Sequence, residues 1–451
     1  MSRKVVVVGG GLAGLAAAAY AARAGARVTV LERARAAGGR ASTREQNGFA
    51  FNLGPHALEN HGAAARGLRE LGVEPGGGVP RLGGTYAVDG GRLHRLPVGL
   101  FDLLATSIFG LGAKLETLRF LARLPKVDAR ALDSVSLAGW LATAVERPAV
   151  RALLEANFRV STYGDDPERA SAGAAIDQLR LAVAGGVTYV DGGWRTLVDG
   201  LAEKARAAGA RITTGAAAVA VLREGGPVSG VRLADGASLD ADAVILAVPP
   251  AAAAALVEAG AGPAGAAADE AARGLRAFAG AAIPVRAACL DVGLARLPRP
   301  AAWFALGVDR SLYLSVHTAW ARLAARENGA VVHIAKYLGP ERPDRDPAAD
   351  ERELEGLLDL LQPGWRAEVV ERRFLPSIAV SNALVTAAGG GTRGRPAPAV
   401  AGAPGLFVAG DWVGAEGMLA DAALASAREA AHGAVGQASL SVSAGPATMA
   451  A

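Results

Sequence analysis

VVVVGGGLAGLAAAAYAARAGARVTVLE, residues 5 to 32, is the stretch whose reading decides the fold. Four successive valines, Val5 to Val8, read as a strand buried on both faces, as in the middle of a parallel sheet. Gly9, Gly11 and Gly14 then spell G-x-G-x-x-G, and the Ala-rich run from Leu12 to Ala24 reads as a helix with Gly25 as its stop. In that setting each glycine has a task. Gly9 permits a tight turn, Gly11 lets the backbone approach a pyrophosphate on the positive helix end where Leu12 and Ala13 sit, and Gly14 lets helix and strand pack closely. A second β-rich run, Arg27 to Leu31, ends in Glu32, eighteen residues after Gly14, where a carboxylate can take a ribose hydroxyl, with Arg33 beside it. The chain therefore opens with a dinucleotide-binding unit.

Its 451 residues exceed one ordinary core, so two or three domains are expected. The 47 basic and 43 acidic residues nearly cancel without a dense basic cluster, which argues against a nucleic-acid partner. A single cysteine, Cys289, excludes an internal disulfide and a cysteine-rich metal site and fits a reducing cytoplasm. The first strand begins at once, without a tripartite leader, so secretion is not expected. Arg-, Ala- and Gly-rich usage fits a high-GC bacterial source. No segment reaches the eighteen or so uncharged apolar residues that span a bilayer. The nearest, Leu100 to Leu124, is interrupted by Asp102, Lys114, Glu116 and Arg119. It reads as a helix pair packed internally or lining a substrate path, with peripheral membrane contact as the competing reading.

After Glu32 comes Gly38-Gly39-Arg40, a tight glycine pair followed by a fixed cation. FNLGPHAL, residues 51 to 58, is a short strand broken at Gly54-Pro55 and followed by His56, and Ala63 to Leu71 reads as a helix. This order of G-x-G-x-x-G, Glu32, GGR and FNLGPH resembles the flavin amine oxidase superfamily, which also holds phytoene desaturases and protoporphyrinogen oxidases. The resemblance implies an α/β fold of the glutathione-reductase-2 or amine oxidase type. That fold has a Rossmann-like FAD-binding domain, a parallel sheet plus β-meander, joined to an α+β substrate domain. It implies a discontinuous cofactor domain, residues 1–75, 188–265 and 388–436, a substrate domain, 76–187 and 266–387, and a disordered tail, 437–451.

Residues 76 to 184 are mostly helical in pattern, and Trp140, Phe158 and Tyr163 there read as core aromatics. YVDGGWRTLVDGL, 189 to 201, resembles the family's return to the flavin domain. Runs at 217–222 and 228–239, with Asp235-Gly236 as a turn, read as the meander over the adenosine half, and in relatives the backbone at Val219 meets the adenine. Gly260, Gly262 and Gly265 repeat G-x-G-x-x-G as a string, but they follow a helical pattern and no strand feeds them, so a second nucleotide site is rejected. Strand-like runs at 283–290, 311–316 and 330–337 and a helix at 350–361 fill the substrate domain. His317 and His333 read as ordinary surface or core histidines.

LFVAGD, 406 to 411, and the helix pattern from Ala420 to Ala434 match the family's closing flavin signature. The resemblance gives Gly410 and Asp411 a ribityl or pyrophosphate-side contact and turns the helix start, at Met418 and Leu419, to the pyrimidine edge. Amine oxidases of the superfamily use a lysine near flavin N5 and an aromatic cage. Here the matching stretch offers Arg286, Leu419 stands where the tyrosine is expected, Asp421 replaces a glutamate and Ala422 a glycine. With Trp412, Met418 and Leu419 at the flavin end, an uncharged or lipophilic substrate is expected: an isoprenoid, polyene or large ring, oxidised by hydride removal to noncovalent FAD. His56 reads either as a proton acceptor or as a structural hydrogen bond. With one nucleotide site, electrons must leave on a diffusible acceptor, oxygen, a quinone or another. Amine oxidation, and a flavin- or lipid-binding protein without turnover, are the alternatives.

Overall fold

A computed structural model describes residues 2–81, 83–223, 226–265, 269–339 and 345–436. The expected tail, 437–451, lies outside the described residues. The first half of the architecture grows from the valine run. Lys4–Val8 lies at the centre of a five-stranded parallel sheet in the order Arg211–Thr214, Arg27–Glu32, Lys4–Val8, Ala243–Leu246, Leu406–Val408. Val5 and Val7 enter one core and Val6 and Val8 another, because helices cover both faces and neither has a polar side to present. On the first face lie the helices Leu12–Arg23, Arg195–Ala207 and Leu419–Val435. Ala16 to Ala19 are wholly buried there, and their small side chains let three helices crowd one strand layer.

The second face carries a three-stranded antiparallel meander, Ala218–Arg223, Val228–Leu233 and Ser238–Asp240, and the helix Pro250–Gly265. That helix holds the decoy glycines, and the structure shows what Gly260 does instead. A Cβ at Gly260 would stand 1.7 Å from the Val221 carbonyl oxygen, so its role is close helix-to-meander packing.

A seven-stranded sheet forms the second layer system, in the order Val369–Ser381, Val285–Leu294, Ala330–Leu338, Leu312–Val316, Phe304–Gly307, Thr85–Asp89, Arg92–Arg95. Two parts of it escape the sequence reading. The hairpin Thr85–Asp89 and Arg92–Arg95 lies inside a region expected to be mostly helical; Gly90 at φ 54° and Gly91 at φ 73° supply the paired positive φ values that a two-residue hairpin turn needs. Val369–Ser381 contains Pro376 and, among the described residues, pairs only with Val285–Leu294, so the proline sits on an edge strand where a missing N–H is tolerated. The helix Pro347–Leu361 covers one face of this sheet.

Leu100 to Leu124 does form a helix pair, Leu100–Ala105 and Leu111–Arg123, but it is not internal. Leu103, Phe109, Ala113 and Phe120 enter the core of the helical region, where Trp140 and Phe158 also pack. The opposite side leaves Leu100 60%, Phe101 72%, Leu104 59% and Leu111 86% exposed. The ordinary bias of apolar helices toward cores gave the expectation of burial, and among the described residues no element covers that side. No helix among the described residues is long and apolar enough to cross a membrane.

The glycines of the opening turn are not equivalent. A Cβ at Gly14 would lie 1.8 Å from the Gly9 carbonyl oxygen, whereas one at Gly11 would meet nothing closer than the Gly38 oxygen at 3.9 Å. Gly14→Ala is therefore expected to destabilise the protein by about 3 kcal/mol, the upper part of the overpacking range, and Gly11→Ala by much less. Thermal denaturation of both variants without added cofactor checks this, and equal midpoints would refute the steric reading.

Candidate functional site

The opening turn is a preformed anion cradle. Gly11 caps the helix Leu12–Arg23 with φ −80°, so no backbone strain asks for glycine there, and no protein atom claims the space its side chain would fill. The glycine is needed only if something outside the chain approaches the backbone. Leu12 and Ala13 start the helix, where first-turn N–H groups have no intrahelical acceptor and the helix end is positive. Gly38 and Gly39 close the other side: Gly38 N–H donates to the Gly10 carbonyl at 2.8 Å, and Gly39 sits at φ 55° near the Gly11 Cα.

Glu32 ends its strand beside this cradle, held by the Gly10 N–H at 2.7 Å on one oxygen and the Ala34 N–H at 2.7 Å on the other. Each oxygen accepts one bond and keeps room for another, which suits a ribose diol. Arg33 follows with an exposed side chain. On the meander, Val219 is the extra residue of a bulge between Ala218 and Ala220 and is 40% exposed, so its backbone is outside the ladder and open to a flat ring. These features fit the two ends of an adenine dinucleotide.

The far end is organised by Asp411. Its carboxylate is 3% exposed and takes Arg40 as a fork, Nη1 at 2.8 Å and Nη2 at 2.7 Å, together with Ser381 Oγ at 2.9 Å and the Asn382 backbone N–H and Nδ2 at 2.8 and 2.7 Å. Burial pushes its pKa up, and Arg40 and Asn382 more than reverse that, so the group stays ionised well into acid. Five donors occupy both oxygens. Asp411 thus acts on the site by fixing Arg40 and the turn that begins at Gly410, whose N–H donates to Ser426 Oγ at 3.0 Å. Arg395, which the sequence reading passed over, grips the same turn through the Asp411 and Gly417 carbonyls at 3.1 and 2.8 Å, and burial lowers its pKa to about 10.

The turn delivers Met418 and Leu419 to the start of the closing helix. Leu419 holds φ 53°, a left-handed conformation that a branched side chain adopts only under constraint. Trp412, expected at the flavin end, is a correction: it is wholly buried, donates Nε1 to the Val248 carbonyl at 3.0 Å and stacks on Phe278 at 5.4 Å. The two residues share a turn closed by the Val413 N–H donating to the Gly410 carbonyl at 3.1 Å, and it sends Asp411 to Arg40 and Trp412 to Val248 and Phe278. Asp421, in the first turn of the helix, accepts the Ala64 N–H at 2.7 Å and so joins the closing helix to the helix Ala63–Glu70.

Gly54 and Pro55 are buried against the substrate sheet, where a Cβ at Gly54 would meet Ile378 and the Cys289 sulfur at 2.8 and 3.0 Å. His56 turns its ring edge-on to Trp194 at 4.7 Å and its Nδ1 to the Gly54 carbonyl at 3.0 Å. Burial holds its pKa down at about 4 against the pull of the Gly54 and Arg40 carbonyls, so it is neutral at ordinary pH. The sheet face beneath this loop carries Cys289, Tyr313, Tyr337, Leu375, Ile378 and Val380, and the Val380 carbonyl accepts from Arg40 at 2.8 Å.

At the other end of the same face, strand register lines up Asp291, His333 and Ser315. His333 Nδ1 meets Asp291 at 2.6 Å, Arg373 pairs with the other Asp291 oxygen at 2.5 Å, and His317 stacks on Tyr189 at 3.9 Å. The two histidines are thus members of one buried network; only the strand pairing, which sequence spacing does not reveal, brings them together. No group of His, Cys, Asp and Glu among the described residues is arranged to hold a metal.

Comparison with known proteins agrees with this geometry. Residues 12–434 match the model of the family described as flavin containing amine oxidoreductase. The chain is 31% identical over 300 residues to the hydroxyneurosporene desaturase of Cereibacter sphaeroides, covering 55% of this chain and 57% of that protein. It is 40% identical over 119 residues to human protoporphyrinogen oxidase, 24% of this chain and 25% of that one. The chain thus spans little more than half of the first relative and a quarter of the second. An oxidoreductase from Methanosarcina mazei superposes with TM-score 0.76 at 20% identity, covering 94% of this chain and 99% of its own, a likeness of fold. The cofactor of the family is FAD. By its match over nearly the whole chain, the protein belongs to the flavin containing amine oxidoreductase family of FAD-dependent oxidoreductases.

Proposed function

We propose that the protein removes two electrons, as hydride from carbon, from a lipophilic or uncharged substrate such as an isoprenoid, a polyene or a large ring compound, within a biosynthetic pathway. Bound FAD supplies the electron acceptor, and the chain's own residues bind, orient and keep water out. The observation that carries this reading is the character of the sheet face under the Gly54 loop. Cys289, Tyr313, Tyr337, Leu375, Ile378 and Val380 make it apolar and aromatic, and none of them is a cation. Lys336, the lysine of the neighbouring strand, points to the opposite face and is taken by Asp350 at 2.7 Å and Glu353 at 2.9 Å. A cationic amine would find no carboxylate on this apolar part, whereas a hydrocarbon skeleton gains about 25 cal/mol for every Å² it buries. The names of the desaturase and protoporphyrinogen oxidase relatives point the same way.

Noncovalent attachment is part of the proposal, since the sole cysteine is buried in the substrate sheet. So are the division into cofactor segments 1–75, 188–265 and 388–436 around a substrate domain, and a diffusible acceptor for the electrons. For His56 the geometry favours the structural role. Its Nδ1 is engaged by the Gly54 carbonyl, the Arg40 carbonyl also draws on the ring, and the imidazole ties the Gly54 and Arg40 loops together.

A lipophilic substrate must be collected from a lipid phase, and the open side of the Leu100–Ala105 and Leu111–Arg123 helices is suited to that. Between residues 92 and 126 six cations, Arg92, Arg95, Lys114, Arg119, Arg123 and Lys126, face two acids, Asp102 and Glu116, although the whole chain is nearly balanced. Exposed Phe101, with Arg95 over its ring at 5.5 Å, and exposed Leu111 lie among them. Apolar anchors ringed by cations suit the surface of an anionic bilayer.

Three outcomes follow. Mixed anaerobically with lipophilic polyenes, cyclic tetrapyrrole precursors and amines, the FAD-loaded protein should lose its flavin absorption with the first or second group; bleaching by amines alone overturns the reading. His56→Asn should slow that reduction by less than about tenfold, against the 10²–10⁴ that loss of a general base costs. Because the folded His56 is neutral above about pH 4, a general base would instead show as a loss of rate on acidification through that value. Vesicles containing phosphatidylglycerol should retain the protein better than pure phosphatidylcholine vesicles, and Phe101→Ser with Leu111→Ser should weaken retention at least tenfold, on the scale of burying two large apolar side chains; unaltered sedimentation would remove the membrane contact from the proposal.

A further inference from the structure

Two buried hydrogen-bond donors near the proposed substrate face have no acceptor among the described residues. Tyr337 is 1% exposed and its hydroxyl has no partner among the described residues; the same holds for Nη1 of Arg159. Burial pushes the Tyr337 pKa well above its ordinary value, so the hydroxyl keeps its proton and remains a donor. An unanswered buried donor is costly, and proteins keep one where a ligand answers it.

The two donors are held in one constellation. Arg159 gives Nε to Asp165 Oδ1 at 2.6 Å, Ser311 Oγ donates to Asp165 Oδ2 at 2.6 Å, and the Tyr337 backbone N–H donates to the Ser311 carbonyl at 2.9 Å. Tyr163, one helical turn beyond Arg159, ends the helix Pro148–Thr162 at φ 58° and sets its ring edge against that of Tyr337 at 6.2 Å. A tyrosine in the left-handed region is held there by its surroundings. Arg159 and Asp165 also line a narrow cleft of about 20 Å³ whose wall includes Thr162, Leu384 and Met418, the residue that precedes the closing helix. The constellation thus joins that cleft to the packed aromatic cluster of Tyr163, Tyr313 and Tyr337.

Charge decides what the donors can hold. Asp165 already answers the single charge of Arg159, and Glu155 lines the same cleft, while Asp166 is taken by Arg169. A carboxylate brought here would meet net negative charge, whereas a neutral oxygen would accept both hydrogen bonds without repulsion. We propose that Arg159 and Tyr337 form a polar anchor for an uncharged oxygen, an alcohol, ether or carbonyl, at one end of an otherwise apolar substrate whose body lies along the aromatic face. This rests on the lipophilic-substrate reading and narrows it: the substrate is amphipathic, and the anchor sets how far its chain enters toward the flavin.

The test uses the FAD-loaded full chain and four probes that share one body: retinol, its methyl ether, retinoate and the parent hydrocarbon. Binding is read from perturbation of the flavin absorption band. The alcohol and ether should bind about tenfold tighter than the hydrocarbon and the carboxylate, the discrimination expected from satisfying buried donors. Tyr337→Phe, which removes one oxygen and leaves no void, and Arg159→Lys should each erase most of that preference, read as the ratio of alcohol to hydrocarbon binding within the same variant. FAD content and thermal midpoint certify the folded state, and Tyr337→Phe carries the test if Arg159→Lys misfolds. Equal binding of alcohol and hydrocarbon by the native protein, an unaltered preference in Tyr337→Phe, or tightest binding of retinoate would each overturn the anchor and leave the lipophilic reading standing. If none of the four perturbs the flavin, the lipophilic reading fails and the anchor fails with it.

Discussion

The ion pair between Arg40 and Asp411 joins residues 371 positions apart in the chain, and the site depends on it. Arg40 follows the glycine loop that closes over the phosphate cradle. Asp411 begins the turn that leads to Met418, Leu419 and the closing helix. Ser381, Asn382 and the Val380 carbonyl bring in the edge strand of the substrate sheet. Three segments of the chain therefore converge on one carboxylate. Removing one partner of a buried pair costs about 3–5 kcal/mol because the other charge is left alone, and Asp411, 3% exposed, is the member that would be stranded. Charge attraction to Arg40, its fork of two hydrogen bonds and the Asn382 donors together hold Asp411 ionised.

This pin lets two unlike surfaces face each other. On one side are backbone groups: the helix start at Leu12 and Ala13, the Gly38–Gly39 loop and the bulge at Val219. On the other is a sheet face that turns from apolar and aromatic near Gly54 to a buried polar row at Asp291, His333 and Ser315. Backbone donors suit a phosphate and a flavin edge, which are the same in every turnover. Side chains of the sheet suit the substrate, the part that differs between relatives. The division of labour explains why FAD is read readily from short motifs while the substrate has to be argued from packing.

The strongest sequence signals were those in which one residue type has one physical use. Gly9, Gly14 and the valine run behave as their local roles require, because a tight turn and a doubly covered strand leave few alternatives. Gly260 was rejected for lack of a feeding strand, and the packing of its helix on Val221 explains the glycine. Where several uses compete, the reading went astray. Trp412 is expected at the flavin end, and the turn after Gly410 instead buries its ring against Phe278 and Val248. The hairpin at Gly90-Gly91 was hidden within a stretch whose surroundings are helical. Leu100 to Leu124 is expected inside because apolar helices usually pack into cores, and nothing local says whether a partner covers its outer side.

The sequence by itself determined the parallel αβ unit, its glycine geometry, the carboxylate at Glu32, the closing LFVAGD strand and, through their order, the family resemblance. These depend on contacts within some thirty residues, or on motifs whose meaning survives in isolation. Only the tertiary structure decided that Asp411 pairs with Arg40, that His317 and His333 share a network with Asp291, and that Arg159 and Tyr337 hold donors without an acceptor among the described residues. Those facts arise from strand register and from chain segments that meet across hundreds of residues. A hydrogen bond is satisfied or left open by where its partner lies in space, and that position is not written in the spacing along the chain.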